Sequence, residues 1–365
     1  IERSRYINER YKDYLRSTFE FGKSNLQELF VEQLEQERLF KGPYVDMSFP
    51  FQRGHDLNYL IEHDVLCKSF RKLEDVNFSR PLYSHQEESI ELIKNGRSTV
   101  ITTGTGSGKT ECFLYPILND LLRDVEKGNN DIGIRAIFLY PMNALVNDQV
   151  DRIRKMLRNC PEITFGFFTA ETPEKASANY RIKLGEENEI EITDNELVSR
   201  EEIRENPPHL LFTNYSMLEY LLIRPNDYSI FKPERLDNWK YIVLDEAHSY
   251  YGSKGIEISL LLRRLAGLAH KRPQFVLTSA TLGEQGKSEE AIVEFAHSLT
   301  SADFAISDVI FSKRISLQGK PKYRIKGADY TAIKEATGEF DNISNIATKY
   351  CDSDSTNVSE LLYDL

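Results

Sequence analysis

Between about residue 77 and residue 300, short apolar runs alternate with stretches of ten to fifteen residues at helical spacing. The runs are STVITT (98–103), IRAIFLY (134–140), ITFGFF (163–168), HLLFT (209–213), KYIVLD (240–245) and QFVLTS (274–279). Unbroken apolar runs rich in Val and Ile mark strands covered on both faces. Helical stretches between them mark right-handed crossovers. The pattern predicts an α/β fold with a doubly wound, mostly parallel sheet. Residues 1–76 read as a separate helical segment: Tyr14, Leu15, Phe19, Phe21, Leu26, Leu29, Phe30, Leu34 and Leu39 recur at roughly helical spacing before Pro43, Pro50 and Gly54 interrupt. A short helix is expected around Leu57 to Leu66. Residues 171–206 are polar and acidic, which favours a solvated insertion over a partner surface. Residues 301–365 are expected to form a connecting segment, in which ISDVIFSKRI (306–315) offers a strand and CDSDSTNVSELLYDL (351–365) a loop and short helix.

Charge narrows the class. Across 365 residues, 46 Lys and Arg stand against 57 Asp and Glu, a net charge of −11. That excludes a simple basic DNA-coating protein but not a nucleic-acid motor, which needs only a local track of contacts. Cys67, Cys112, Cys160 and Cys351 are far apart and form no C-x-x-C pair, so reduced thiols of a cytoplasmic protein are expected rather than disulfides or a zinc knuckle. No apolar run approaches the roughly 18–20 residues that cross a bilayer. The opening IERSRYINERYKDY has no apolar core of the kind a secretion signal needs.

The sharpest chemistry lies in TTGTGSGKTE (102–111), between an apolar run and the helical pattern CFLYPILNDLLRD. Gly104, Thr105, Gly106, Ser107 and Gly108 make a small, turning loop whose backbone N–H groups can cradle phosphates. The next helix adds positive potential, Lys109 reaches the β- and γ-phosphates, and the Thr110 hydroxyl can ligate Mg²⁺. The strict pattern G-x-x-x-x-G-K-[ST] fails at one place, where Thr103 stands for the first glycine.

Asp245, Glu246, Ala247 and His248 follow the run YIVL. Carboxylates just past a parallel strand sit on the edge where such sheets bind ligands. Asp245 can hold Mg²⁺ through water, and Glu246 can orient and polarise the water that attacks a γ-phosphate. Ser279, Ala280 and Thr281 follow the next run; their hydroxyls either reach the acidic segment or close an ordinary turn. Gln86, in PLYSHQEESIELI, has a donor and an acceptor that can read the N6/N7 edge of adenine, or else serves as a helix cap.

Taken together these residues resemble the first RecA-like motor domain of superfamily 2 DEAD/DEAH-box helicases. YSHQ (83–86), TGTGSGKT (103–110), YPMNALVNDQ (140–149), TNYSMLEYLL (213–222), DEAH (245–248) and TSATLG (278–283) stand in that family's order. The wording of YPMNALVNDQ, FFTAETPE (167–174), PPHLLFTNYSMLEYLLIRP (207–225) and SKGIEISLLLRRL (253–265) resembles the Hrq1/MrfA-like branch of bacterial helicases, some of which serve anti-phage defence systems such as DISARM or Druantia. The resemblance implies ATP and Mg²⁺ as cofactors and DNA, as a single strand or a single/double-strand junction, as partner. It implies phosphate contacts at Pro141, Asn143, Thr213 and Asn214, and coupling roles for His248, Ser279 and Thr281. It divides the chain into residues 1–76, a motor domain at 77–300 and a segment at 301–365. It also implies a second RecA-like domain whose arginines complete the ATP site. No such sequence follows Thr281 here, so this chain is expected to bind ATP but to hydrolyse it poorly unless that domain is supplied. The expected activity is an ATP-driven DNA helicase or translocase; the competing expectation is a nucleotide-gated DNA-binding or restriction-type subunit that does not unwind.

Overall fold

The computed structural model of the protein describes residues 2–22, 24–36, 39, 50–104, 106–129, 131–188, 192–282, 288–315 and 331–332. The chain divides into two compact units, Ile1–Arg314 and Ile315–Leu365. Every element named below belongs to the first. Thr105, Gly283, Cys351 and the tail at 351–365 lie outside the described residues.

The expected N-terminal helices are α1 (Glu2–Thr18) and α2 (Ser24–Gln36). Lys12 joins them, donating to the Glu35 carbonyl at 3.3 Å, and the Phe19 and Phe21 rings meet Phe30 edge-on. Next come β1 (Arg53–Asp56) and α3 (Leu57–Glu62), which starts where the Asp56 side chain accepts the Tyr59 N–H at 2.8 Å. Then follow β2 (Pro81–Tyr83), antiparallel to β1, and α4 (Ser84–Lys94).

The main body is β3 (Thr99–Thr102), α5 (Lys109–Glu126), β4 (Ala136–Tyr140), α6 (Asn143–Met156), β5 (Phe165–Phe168), α7 (Ala178–Asn188), β6 (Glu196–Leu197) and α8 (Arg200–Glu205). It continues through β7 (Leu210–Asn214), α9 (Tyr215–Ile223), β8 (Tyr241–Leu244), α10 (Gly252–Ala266), β9 (Gln274–Ser279), α11 (Glu289–Thr300) and β10 (Val309–Phe311). The strands form one eight-stranded sheet, ordered β10-β3-β9-β8-β4-β7-β5-β6. All its pairings are parallel.

Each long apolar run became a strand because its alternate residues feed two cores. Ile101, Phe138, Val243 and Val276 pack with α3 to α6 on one face. Val100, Leu139, Leu244 and Leu277 pack with α9 to α11 on the other. Burying each such side chain contributes roughly 1.5–3 kcal/mol. The strand offered by 306–315 is β10, whose Ile310 pairs with Ile101 at the sheet edge. Leu57, Leu60, Leu66, Phe70 and Leu73 belong to the same core as α5, and the Cys67 N–H donates to Asn119 Oδ1 at 2.6 Å. Thus structure contiguous with the sheet begins before residue 77 and runs past 300.

The acidic stretch at 171–206 is not simply a solvated insertion. Glu196 is 0% exposed and takes the Arg154 guanidinium on both oxygens, each at 2.6 Å, while Val198 and Ile203 are buried beside it. Such a fork-shaped partner makes a buried carboxylate tolerable, and nothing in the local sequence says that the partner lies on α6.

Burial makes one histidine a pH sensor of stability. His209, at the foot of β7, accepts the Thr164 N–H on Nδ1 at 3.0 Å and faces the Asp131 carbonyl through Nε2 at 3.2 Å. Burial, then the charge of Arg135, lowers its pKa from 6.5 to about 4. The unfolded chain therefore binds the proton first as pH falls. The stabilisation from neutral His209 is complete above about pH 6.5 and is lost progressively down to about pH 4, by up to about 3 kcal/mol. Denaturant midpoints measured from pH 7 to pH 4 are expected to fall more steeply for the native chain than for His209→Gln; identical slopes would refute this.

Candidate nucleotide site and nucleic-acid edge

The loop after β3 turns through Gly106 and Gly108, at φ of +74° and +73°. Glycine adopts these angles without the strain other residues meet. A Cβ on Gly108 would also lie 2.3 Å from Gln86 Nε2. Ser107 is fully buried and its hydroxyl donates to Thr103 Oγ1 at 2.7 Å, so Ser107 offers a ligand only its backbone. Thr103, standing where the strict pattern wants glycine, ties the loop to the sheet, its N–H donating to the Ser279 carbonyl at 3.0 Å. His85 Nε2 lies 2.9 Å from the Ser107 carbonyl. Burial lowers the His85 pKa, keeping that ring a neutral prop.

Gln86 is 5% exposed. Its Oε1 accepts the Tyr83 N–H at 2.8 Å and its Nε2 donates to the Gly108 carbonyl at 3.1 Å. It is thus a buried cap that braces the loop after β3.

Across the cleft, β8 ends at the acidic pair. Lys109 Nζ, on the first residue of α5, lies 2.8 Å from Glu246 Oε1. Glu246 holds φ of +48°, a left-handed angle that a non-glycine residue adopts at a cost of order 1–3 kcal/mol. Its N–H donates to Thr278 Oγ1 at 3.3 Å, and its carbonyl accepts the Ser249 N–H at 2.9 Å. The same Thr278 hydroxyl donates to Asp245 Oδ1. Burial raises the Asp245 pKa, the Thr278 hydrogen bond lowers it, the Glu246 charge raises it and Lys109 lowers it. His248 Nδ1 lies 3.2 Å from both Ser279 Oγ and Glu246 Oε2. Thr281 makes no such reach: its N–H donates to Ser279 Oγ at 3.1 Å, closing a turn.

The third constellation lies on the neighbouring strands. Asn143 opens α6 just past Pro141, and Asn214 caps α9 by accepting the Met217 N–H at 2.8 Å. Asn214 Nδ2 donates to Asn143 Oδ1 at 2.6 Å, joining the two turns. Glu171 holds Asn143 Nδ2 at 3.3 Å and Asn147 Nδ2 at 3.5 Å. Thr213 is buried and gives its hydroxyl to the Phe168 carbonyl at 2.6 Å, so it anchors the turn from beneath. A hydroxyl at a strand end does not reveal which way it points.

Sequence reasoning passed over Thr278, the side chain that touches both acidic residues. It also passed over the Glu111–Arg152 pair at 2.5 Å, which ties the start of α5 to α6. Thr278 has a signal in the sequence: it is the first letter of TSAT, one residue before Ser279. Arg152 had none. For a divalent cation, Thr110 and Asp245, which flank the Lys109–Glu246 contact in sequence, carry hard oxygen donors, a hydroxyl and a carboxylate, of the kind that suits Mg²⁺. Among the described residues no group of three or more His, Cys, Asp or Glu gathers as a metal cage. No helix among them is long and apolar enough to cross a membrane.

Comparison with known proteins agrees with this geometry. The chain is 31% identical over 360 residues to the Druantia protein DruE of Escherichia coli, across 73% of this chain and 19% of that protein. It is 28% identical over 279 residues to an uncharacterized ATP-dependent helicase of Methanocaldococcus jannaschii, across 74% of this chain and 35% of that one. The ATP-dependent helicase hrq1 of Schizosaccharomyces pombe is 30% identical over 210 residues, 55% of this chain and 16% of the relative. The chain therefore spans between about a sixth and about a third of the length of these relatives. Among solved structures, the DUF1998 helicase MrfA bound to DNA and AMPPNP shares the fold, with a TM-score of 0.50 and 21% identity over 81% of this chain and 38% of that one. A DEAD-box helicase bound to single-stranded RNA and UDP-BeF gives 0.51 and 15%, over 80% and 55%. The DEAD/DEAH box helicase family model matches residues 83–288. With that match spanning more than half of its 365 residues, the chain belongs to the DEAD/DEAH box helicase family.

Proposed function

We propose that this chain is the ATP-binding motor portion of an ATP-dependent DNA helicase or translocase. The observation that carries the reading is the 2.8 Å contact between Lys109 Nζ and Glu246 Oε1. Two residues 137 positions apart meet in one cleft, the ammonium resting on the carboxylate where a triphosphate would draw it away. On nucleotide binding Lys109 moves from Glu246 to the phosphate oxygens. Glu246, released, accepts a hydrogen bond from the attacking water, and its constrained backbone aims it. Thr110 and Asp245 would hold Mg²⁺, which neutralises charge on the phosphates. Thr278 keeps Asp245 in place, and His248 with Ser279 transmits the change in the acidic turn to the next strand. Gln86 spans the base side of the loop and the Gly108 carbonyl.

Pro141, Asn143 and Asn214 form an uncharged phosphate-contacting edge, which is how a chain of net charge −11 can hold a strand. The motor domain reaches from the helical segment near residue 57 to β10, and a second RecA-like domain, in the full-length protein or a partner, closes the cleft. Similarity to DruE supports a role in anti-phage defence.

The test is ATP hydrolysis by the full-length protein with no nucleic acid, single-stranded DNA or single-stranded RNA, run beside strand displacement on overhang duplexes. Stimulation by DNA with displacement is expected. Stimulation without displacement would leave a translocase, stronger stimulation by RNA would move the substrate, and no hydrolysis under any condition would refute the reading.

A further inference from the structure

We propose that Lys254 is a further phosphate contact for the nucleic-acid strand, an ammonium held beside the Asn214 turn by the rings of Tyr215 and Tyr250. The proposal deepens the nucleic-acid reading above and rests on it.

Lys254 is the third residue of α10, in SKGIEISLLLRRL, a segment that the nucleotide chemistry leaves without a task. Its Nζ lies 4.4 Å from the centroid of the Tyr215 ring and 5.8 Å from that of Tyr250. The two rings meet edge-to-face at 6.4 Å. Tyr215 follows Asn214 directly and opens α9, while Tyr250 is 1% exposed, so the wall behind the ammonium is fixed by the fold.

Electrostatics makes this an unfavourable place for a cation that has nothing to bind. The first turn of a helix carries partial positive charge, which disfavours a lysine there. The first turn of α10 has no acidic residue to offset it. Among the described residues, the ammonium meets two rings and no carboxylate. Aromatic faces attract the charge but accept none of the three N–H donors in the way an oxygen does. The ammonium is therefore held in position with its donors unspent. A phosphodiester oxygen supplies what is missing, a negative charge and lone pairs.

The neighbouring turn needs such a charge. Asn214 already occupies the Met217 N–H of α9 and binds Asn143, so part of the backbone donor set at that helix start is spent on the protein itself. A strand laid across Asn143 and Asn214 would meet neutral amides and, beside Asn143, the Glu171 carboxylate at 3.3 Å. Lys254, reached through the adjacent Tyr215, gives this edge a cation.

The experiment measures the affinity of the full-length protein for a fluorescent single-stranded oligonucleotide across a salt series, for the native protein, Lys254→Gln and Lys254→Arg. A fluorescent ATP analogue is titrated in parallel. Loss of one phosphate contact reduces the slope of log affinity against log salt by about 0.7 for a single strand. Lys254→Gln is expected to show that smaller slope and about three- to tenfold weaker strand binding at moderate salt. Lys254→Arg is expected to restore the slope, and affinity for the ATP analogue is expected to stay unchanged in both variants. A Lys254→Gln protein with the native slope would overturn the proposal, whatever its thermal stability, because a packing role moves stability and not ion release. Weakened ATP-analogue binding with an unchanged strand slope would assign the ammonium to the triphosphate instead. If the native protein itself shows no salt-dependent strand binding, the nucleic-acid reading fails before Lys254 is in question.

Discussion

Lys109→Ala is expected to lower ATP turnover of the full-length protein by on the order of 10²–10³-fold, the usual effect of removing one preorganised donor from a charge-developing site. Lys109 is placed for this by the loop: Gly108 enters the left-handed region, so α5 begins with Lys109 facing the cleft. Its side chain is only 12% exposed, so water does not substitute fully for the lost ammonium. Nucleotide affinity should fall as well, because a point charge on the phosphates acts in the ground state and in the transition state alike. The Glu246 carboxylate is then left without its cation, which makes Lys109→Met a useful second variant with much of the side-chain packing retained. Turnover near the native rate in both variants would remove Lys109 from the site.

Glu246→Gln separates binding from chemistry. The amide is nearly isosteric and still offers an oxygen to Lys109, but it cannot take a proton from water. Turnover is expected to fall by about 10²–10⁴-fold, the range for losing a positioned general base. Affinity for an ATP analogue is expected to hold or rise. In the native protein the nucleotide must draw Lys109 from a carboxylate at 2.8 Å, and in the variant it competes only with a neutral amide. Stopped-flow binding beside steady-state hydrolysis reads both quantities. Native turnover in Glu246→Gln would show that another group orients the water, and a parallel loss of affinity and turnover would make Glu246 a binding residue rather than the base.

The parts legible in the chain are those whose signal is local. Continuous apolar runs such as IRAIFLY and YIVL betray strands covered on both sides, because only such strands need no polar face. The loop TGTGSGKT declares itself because left-handed turns need glycine where other residues would be strained. DEAH can be placed because a carboxylate after a buried strand sits at the binding edge. Even β10, the weakest of these, showed in ISDVIFSKRI through a short apolar run.

What stayed hidden depends on partners distant along the chain. Glu196 reads as one more acid in a polar stretch, yet it is fully buried against Arg154, which lies 42 positions earlier. Thr278 reads as the last residues of a strand, and only the parallel pairing of β8 with β9 sets its hydroxyl against Asp245. Gln86 reads as an adenine contact or a helix cap and Thr213 as a phosphate contact, and only packing shows the backbone partner that each one holds.

Residue order and composition were enough to mark the runs that became β3, β4, β5, β7, β8 and β9, though not β1, β2 or β6, and to single out the glycine loop and the acidic pair as candidates, since backbone sterics and burial periodicity act over a few residues. Folding had to bring Lys109 to Glu246, Arg154 to Glu196 and Lys254 to the Tyr215 ring. A charge records nothing in its own neighbourhood about the partner that will make its desolvation tolerable. That partner is set by strand order, and strand order is a property of the whole sheet.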